Sequence, residues 1–282
     1  MDMAVHKKRL RKKLVALKVD SSGDIFIQLE WSRSQVSLIK VSSAGGRYWT
    51  YDTASSGQVH VLGGGNLQLD PSGDAIFTGY TGGSLNGTNN LGDIVVCKIT
   101  SQGAESYILQ TGTDASDTST ALAVDSSGNA YVAGTTTGSL PGFSASGGED
   151  AIIIKVSASG SVLWNLQVGG SDHDRFNAMQ LHASGYLFAA GSGALDGLPS
   201  AGGTDFLLCA VDAVAGTLVW AHQAGSSGLD QGAHYLRLDD AGDAYVAGTS
   251  GSHKCRTKRA SKPKNQESES QKKALTRNLT KK

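Results

Sequence analysis

Three cysteines are too few and too scattered for a disulfide framework or a metal motif. Cys97 and Cys209 fall at matching places in a recurring segment where other copies carry Ile39 and Ile154, which predicts buried small hydrophobes. Cys255 stands alone in a polar stretch. No run of about 18 apolar residues exists, so no membrane-spanning helix is expected. The N-terminus is basic, but no apolar segment follows it, so it does not read as a signal peptide and a cytoplasmic or nuclear place is expected. His-Glu-x-x-His, Gly-x-Ser-x-Gly and phosphate-binding loops are all missing, which removes the commonest metalloprotease, hydrolase and nucleotide readings. Aromatics make up only 6% of the chain.

What the chain has in excess is glycine, 37 residues against four prolines. Glycine supplies the positive-φ positions that hairpins demand. It also marks a repeat. ALAVDSSGNAYVAGTT begins at Ala121, and related stretches begin at Leu17, Leu67, Met179 and Leu236. Their turn glycines are Gly23, Gly73, Gly128, Gly185 and Gly242, spaced by 50, 55, 57 and 57 residues. After each pair of short strands comes a Gly/Ser-rich loop, then an Asp-led apolar run: DIVVCKI, DAIIIKV or DFLLCAV. A turn and a fourth segment follow, with Trp49, Tyr107, Trp164 and Trp220 at or near matching places.

Four strands per unit, each followed by turn residues, predict an all-β fold. At this period the unit is a four-stranded antiparallel propeller blade. The expectation is an array of about four and a half blades over residues 14–252, incomplete as a ring, with stacked neighbours covering the faces that one blade leaves open. Residues 1–13 and 253–282 are read as a basic N-terminal segment and a basic disordered tail. The zero net charge hides this division: residues 14–253 hold eight Lys and Arg against 22 Asp and Glu, near −14, and the ends balance it.

Asp125 to Gly134, Gly148 to Lys155, Gly160 to Trp164 and Gly169 to Asp174 together resemble the bacterial-type β-propeller repeat called the SBBP repeat. The resemblance runs over roughly residues 14–252 and implies a propeller fold. Family members in bacteria are often exported. The Gly-x-x-x-Trp element is also similar to quinoprotein-like propeller repeats, whose tryptophans dock neighbouring blades. Unit one departs from the pattern, with Gln35 where later units have Asp93, Asp150 and Asp205.

Two groups of residues invite a binding reading. Asp125, Ser126, Ser127 and Asn129 offer oxygens around Gly128, but no acids follow as a calcium loop requires, so a hairpin turn is the better reading. His182 replaces that Asp in unit four. Asp117, Asp174 and Asp230 precede the first strand of successive units, and Asp93, Asp150 and Asp205 open the third. They are read first as caps on loop N–H groups, and second as a ring of acids that could hold Ca2+. His173 between Asp172 and Asp174 is a local His/acid cluster in a loop, read as a solvated turn. The aromatic set is read as blade packing.

The function expected is a non-enzymatic scaffold that binds a protein or a carbohydrate. A propeller enzyme or metal-binding protein using the acidic loop face, with a metal or a quinone, is the alternative. A nuclear or nucleic-acid-associated protein acting through basic tails is a third. Dimerisation to complete the propeller is a further expectation.

Overall fold

The structure is a computed structural model, and it describes residues 12–31, 35–53, 59–60, 66–81, 92–200, 202–228, 230, 232–249 and, as backbone, 256–260. These residues form five antiparallel sheets in chain order.

The first sheet holds β1 (Lys12–Val19), β2 (Ile25–Trp31), β3 (Gln35–Val41) and β4 (Arg47–Asp52), paired in that order. The second holds β5 (Val59–His60), β6 (Leu67–Leu69), β7 (Ala75–Thr81), β8 (Asp93–Ile99) and β9 (Glu105–Thr111). Both β5 and β6 pair with β7, so two short pieces stand in place of one first strand. The third sheet is β10 (Asp117–Val124), β11 (Ala130–Thr136), β12 (Asp150–Val156) and β13 (Val162–Val168). The fourth is β14 (Arg175–Leu181), β15 (Tyr186–Gly193), β16 (Asp205–Asp212) and β17 (Leu218–Ala224). The fifth has β18 (Gly232–Leu238), β19 (Ala244–Thr249) and β20 (Arg256–Ala260). The array is propeller-like, and unit one forms a regular four-stranded sheet despite Gln35.

β20 comes from the segment that the sequence reads as a solvated tail. Its backbone pairs with β19, and the register sets Arg259 opposite Tyr245 as Lys155 stands opposite Tyr131.

Four hydrophobic layers lie between the sheets. The layer between the third and fourth sheets joins Tyr131, Ala133, Ile153 and Leu166 to Phe176, Leu187, Leu207 and Cys209. Layers of the same kind fill the other three spaces. Each sheet between two others is therefore buried on both faces: β11 and β12 are buried at every residue. This is why their sequences read as continuous apolar runs. Successive first strands approach one another, β6 to β10, β10 to β14 and β14 to β18, which makes the first strand of each sheet the inner one.

A β-bulge recurs in the first strand of four sheets, between Leu14 and Ala16, Ser119 and Ala121, Phe176 and Ala178, and Ala233 and Tyr235. It explains the glycine of the Ala-Gly element in three of them. A Cβ on Gly134 would lie 1.8 Å from the Thr118 carbonyl oxygen, and one on Gly191 would lie 1.8 Å from that of Arg175. The bulge turns a carbonyl into the space that a side chain would need.

Candidate functional site

Each blade has two ends, and polar residues are organised differently at each. At one end lie the β1–β2-type hairpins. Asp125 accepts from the backbone N–H groups of Ser127 and Asn129 through Oδ1, both at 2.9 Å, and Gly128 takes φ of +79°. Asp20, Asp70 and Asp239 repeat this arrangement. The aspartate carboxylate is thus occupied in closing the turn.

A lysine from the third strand reaches the same turn. Lys98 Nζ lies 2.7 Å from Asp70 and 3.3 Å from Asp74, and Lys40 lies 3.3 Å from Asp20 and 3.4 Å from Asp24. Lys155 is 3.9 Å from Asp125 and also donates to the Ala213 carbonyl in the fourth sheet at 2.9 Å. In the fourth sheet both partners change together. His182 replaces the aspartate, its Nδ1 2.7 Å from Ser184 Oγ, and Ala210 occupies the lysine register opposite Phe188.

At the other end, the third strand of one sheet starts beside the first strand of the next. The Asp117 N–H donates to the Gly92 carbonyl, Asp174 N–H to Glu149, and Asp230 N–H to Thr204, at 2.7 to 2.9 Å. This backbone link sets the two aspartates of each joint close together: Asp93 with Asp117, Asp150 with Asp174, Asp205 with Asp230. All six are buried. Asp117 Oδ2 accepts from Thr113 N–H at 2.7 Å, and Asp230 Oδ2 from Ser226 N–H at 2.7 Å. Asp174 accepts from Gly170 N–H at 2.8 Å and from Ala194 N–H at 2.7 Å. Asp117, Asp174 and Asp230 therefore sit at three separate joints, each holding loop backbone.

The strand-three aspartates meet a residue that the sequence reading passes over. Gln110, Gln167 and Gln223 occupy one position of the fourth strand, in a recurring Gln-x-Gly. Their side-chain N–H groups donate to Asp93, Asp150 and Asp205 at 2.9, 2.6 and 3.1 Å. Gln167 also donates to the Gly138 carbonyl at 2.9 Å and accepts from Leu140 N–H at 2.8 Å, and Gln223 accepts from Leu195 N–H at 3.0 Å. Gln167 and Gln223 thus tie the loop after the second strand to the aspartate joint. The glycine two residues on is required by contact: a Cβ on Gly169 would lie 2.0 Å from Asp150 Oδ1, and one on Gly225 would lie 1.9 Å from Asp205 Oδ1. In the first unit the two residue types exchange places, with Gln35 at the aspartate position and Asp52 at the glutamine position.

Burial raises the carboxyl pKa of Asp117, Asp150 and Asp174, against hydrogen bonds that lower it. Neighbouring acids add to the rise, Asp93 on Asp117 and Asp150 on Asp174. Among the described residues, no group of three or more His, Cys, Asp and Glu is arranged to hold a metal.

Above the joint of the third and fourth sheets lies a polar trio. Arg175 donates to Glu149 at 2.9 Å, and His173 Nδ1 is 3.7 Å from the same carboxylate. His173 packs on Gly148, where a Cβ would lie 2.7 Å from the ring, and Glu149 and His173 form an isolated bridge. His173 and Arg175 are exposed and Glu149 is half-buried, and the Asp150–Asp174 joint beneath them is buried.

The aromatics lie between sheets. Trp49 Nε1 donates to the Ser101 carbonyl at 3.0 Å and its ring seats Gly103. Tyr107 seats Gly160, and Trp164 seats Gly216 while donating to the Ala213 carbonyl at 3.3 Å. Trp220 is buried beside Phe188, with ring centroids 5.8 Å apart. Cys97 and Cys209 are buried free thiols, and burial pushes their pKa up. No helix of the described residues is long and apolar enough to cross a membrane. Residues 1–11 and 261–282, most of the two basic segments, lie outside the described residues.

A family model described as the SBBP β-propeller repeat matches residues 107–141. No curated protein matches the chain. Among solved structures, the quinohemoprotein alcohol dehydrogenase of Comamonas testosteroni is similar with a TM-score of 0.53 and 17% identity, over 85% of this chain and 40% of that one. A protein of unknown function from Bacteroides caccae gives a TM-score of 0.48 at 11% identity, over 86% and 73%. One from Dyadobacter fermentans DSM 18053 gives 0.48 at 12%, over 89% and 82%. At these identities the likeness concerns the fold alone.

Proposed function

We propose that the chain is a non-enzymatic β-propeller scaffold whose loops at the aspartate joints bind a protein or a glycan. The observation that carries this reading is the Asp/Gln node at each joint. It supports the segment joining two sheets from below, and in the third and fourth sheets it also holds the loop after the second strand, so the residues above stand on a rigid base. The buried carboxylates themselves face backbone N–H groups and glutamine amides, an arrangement that suits support better than substrate contact. Glu149, His173 and Arg175 supply charged and planar groups of the kind that grip hydroxyls or carboxylates. The test is a glycan array and a protein-binding screen with the 282-residue chain and its Glu149→Ala/Arg175→Ala variant. Retained fold with weakened binding supports the reading, and unchanged binding by the variant removes these residues from it.

Nucleic acid contact through residues 1–13 and 261–282 is a second reading, favoured by the Lys and Arg concentrated there. It requires a steep salt dependence of binding that is lost when 261–282 are removed.

A further inference from the structure

The first sheet has one covered face and one bare face. Cross-strand register groups Leu14 with Leu29, Leu17 with Ile27, and Val19 with Ile25, on the side opposite Phe26 and Leu38. Phe26 and Leu38 are buried against the second sheet. The other side is not: Leu14, Leu17 and Val19 are 58%, 51% and 55% exposed, and Ile25, Ile27 and Leu29 are half-buried. The same positions in the third sheet are closed by the sheet before it, with Leu122 at 5% and Val132 at 0%.

The fifth sheet is bare on the opposite side. Tyr235 is 71% exposed and Tyr245 37%, while Leu236 and Val246 on the other side are buried against the fourth sheet. Tyr245 has the place of Tyr131, which is 2% exposed under the fourth sheet, and it keeps the same hydroxyl contact, to Asp239 at 3.2 Å where Tyr131 reaches Asp125 at 3.1 Å. The first and fifth sheets thus present two halves of one interface. The four layers inside the molecule each join the side represented by Tyr131 to the side represented by Val132. Among the described elements no extensive contact joins the first sheet to the fifth, so the two bare sides do not cover each other within one molecule. Residues 261–282 are a poor match for an apolar sheet face, since Lys, Arg and other polar groups dominate them.

We propose that the bare side of the first sheet docks on the bare side of the fifth sheet of a second copy, so that the chain self-associates head to tail. The contact continues the sheet-on-sheet packing that the chain already uses four times. It is heterologous: it closes into a ring if the rotation per copy allows, and otherwise extends. The surface is separate from the joint loops, so its failure leaves the binding reading untouched.

Sedimentation velocity of the full chain over a wide concentration range tests this, with two single variants, Leu17→Lys and Tyr235→Lys. Both residues are exposed, and circular dichroism should match the parent protein, as should melting temperature at concentrations where the parent is monomeric. The parent mass should rise with concentration to twice the monomer or beyond. Each variant alone should stay monomeric, because each lacks one half of the contact. Mixed in equal amounts, they should form a dimer and stop there, since the Leu17→Lys copy keeps its fifth-sheet side and the Tyr235→Lys copy its first-sheet side. A parent that stays monomeric throughout overturns the proposal. So does a Tyr235→Lys variant that self-associates like the parent, which would mean pairing of two first sheets.

Discussion

Trp164 of the third sheet lies so close under Gly216 of the fourth that a Cβ on the glycine would sit 2.6 Å from the indole ring. Gly216 also has φ of +71°, where L side chains are strained. The contact recurs at Trp49–Gly103 and Tyr107–Gly160, so a turn glycine of the second, third and fourth sheets is seated on an aromatic of the sheet before. Gly216→Ala should therefore pay twice, for backbone strain and for the displaced indole, and lose about 2–4 kcal/mol in urea denaturation. Gly142→Ala is the control. It has φ of +86° but nothing within 4 Å, so it should lose only about 1–2 kcal/mol. Equal losses at the two sites would mean that the ring contact contributes nothing.

Lys98 is the cation of a buried three-residue cluster, 2.7 Å from Asp70 and 3.3 Å from Asp74. Burial lowers its pKa, but hydrogen bonds and charge from the two aspartates outweigh that and leave it raised. Its contribution is thus present below the unfolded-state pKa and lost as pH climbs through the folded one. Lys98→Met should cost about 3 kcal/mol at neutral pH, because two carboxylates lose their counter-charge. The fourth sheet shows how the turn is built without the pair, with His182 and Ala210 in the two positions. Asp70→His/Lys98→Ala should therefore be less damaging than the sum of its parts, read as a positive coupling in a double-mutant cycle. Strict additivity would mean that the two substitutions in the fourth sheet are unrelated.

The repeat, the strand count and the glycine turns were legible because they are local: Asp125, Gly128 and the alternation around them lie within ten residues of sequence. The aspartates at 93, 117, 150, 174, 205 and 230 were legible as a periodic set, and their nearness in pairs was not. That nearness depends on a backbone bond between sheets, such as Asp174 N–H to Glu149. Gln110, Gln167 and Gln223 do not stand out in the sequence because a glutamine in a strand reads as a solvent-facing residue. Their place is set by the aspartate each one meets, and for Gln167 and Gln223 by the loop as well, which a linear pattern does not display. Arg256–Ala260 reads as tail for a related reason. RTKRA has no apolar alternation, and its place as a strand rests on backbone pairing with β19. The exposure of Leu17 and Tyr235 was equally hidden, since it depends on which sheet has no neighbour.

Asp150 should make the protein less stable at neutral pH than in mild acid. Burial first, and the Asp196 charge after it, raise its pKa against the hydrogen bonds from Gln167 and Ser146. Asp117 and Asp174 are raised as well. In the window between the unfolded value of 3.8 and the higher folded values, the folded state binds more protons, so stability increases as pH falls. Below 3.8 the sign reverses through Asp20 and Asp125. Burial raises these two, but hydrogen bonds outweigh it and leave them lowered, and their contribution disappears as they protonate. Asp150→Asn keeps an oxygen for Gln167 and removes the charge that also presses on Asp174. It should be more stable than the parent at neutral pH and gain less on acidification. Parallel pH–stability curves for the two proteins would show that the joint carboxylates do not set the slope.

Gln167 holds three partners at once: Asp150 through its amide N–H, the Gly138 carbonyl through the same nitrogen, and Leu140 N–H through its oxygen. All are buried, so Gln167→Ala leaves a carbonyl, an N–H and a carboxylate oxygen without that partner, at a cost of about 2–3 kcal/mol. The loss should be local before it is global. Backbone N–H groups in 137–149 should exchange faster with deuterium, while β15 and β16 in the next sheet should keep their protection. If Glu149 and its neighbours bind a ligand from a loop held rigid by this node, affinity should fall in the same variant even though no contacting residue has changed. Faster exchange with unaltered affinity would separate the node from binding and leave it a purely structural tie.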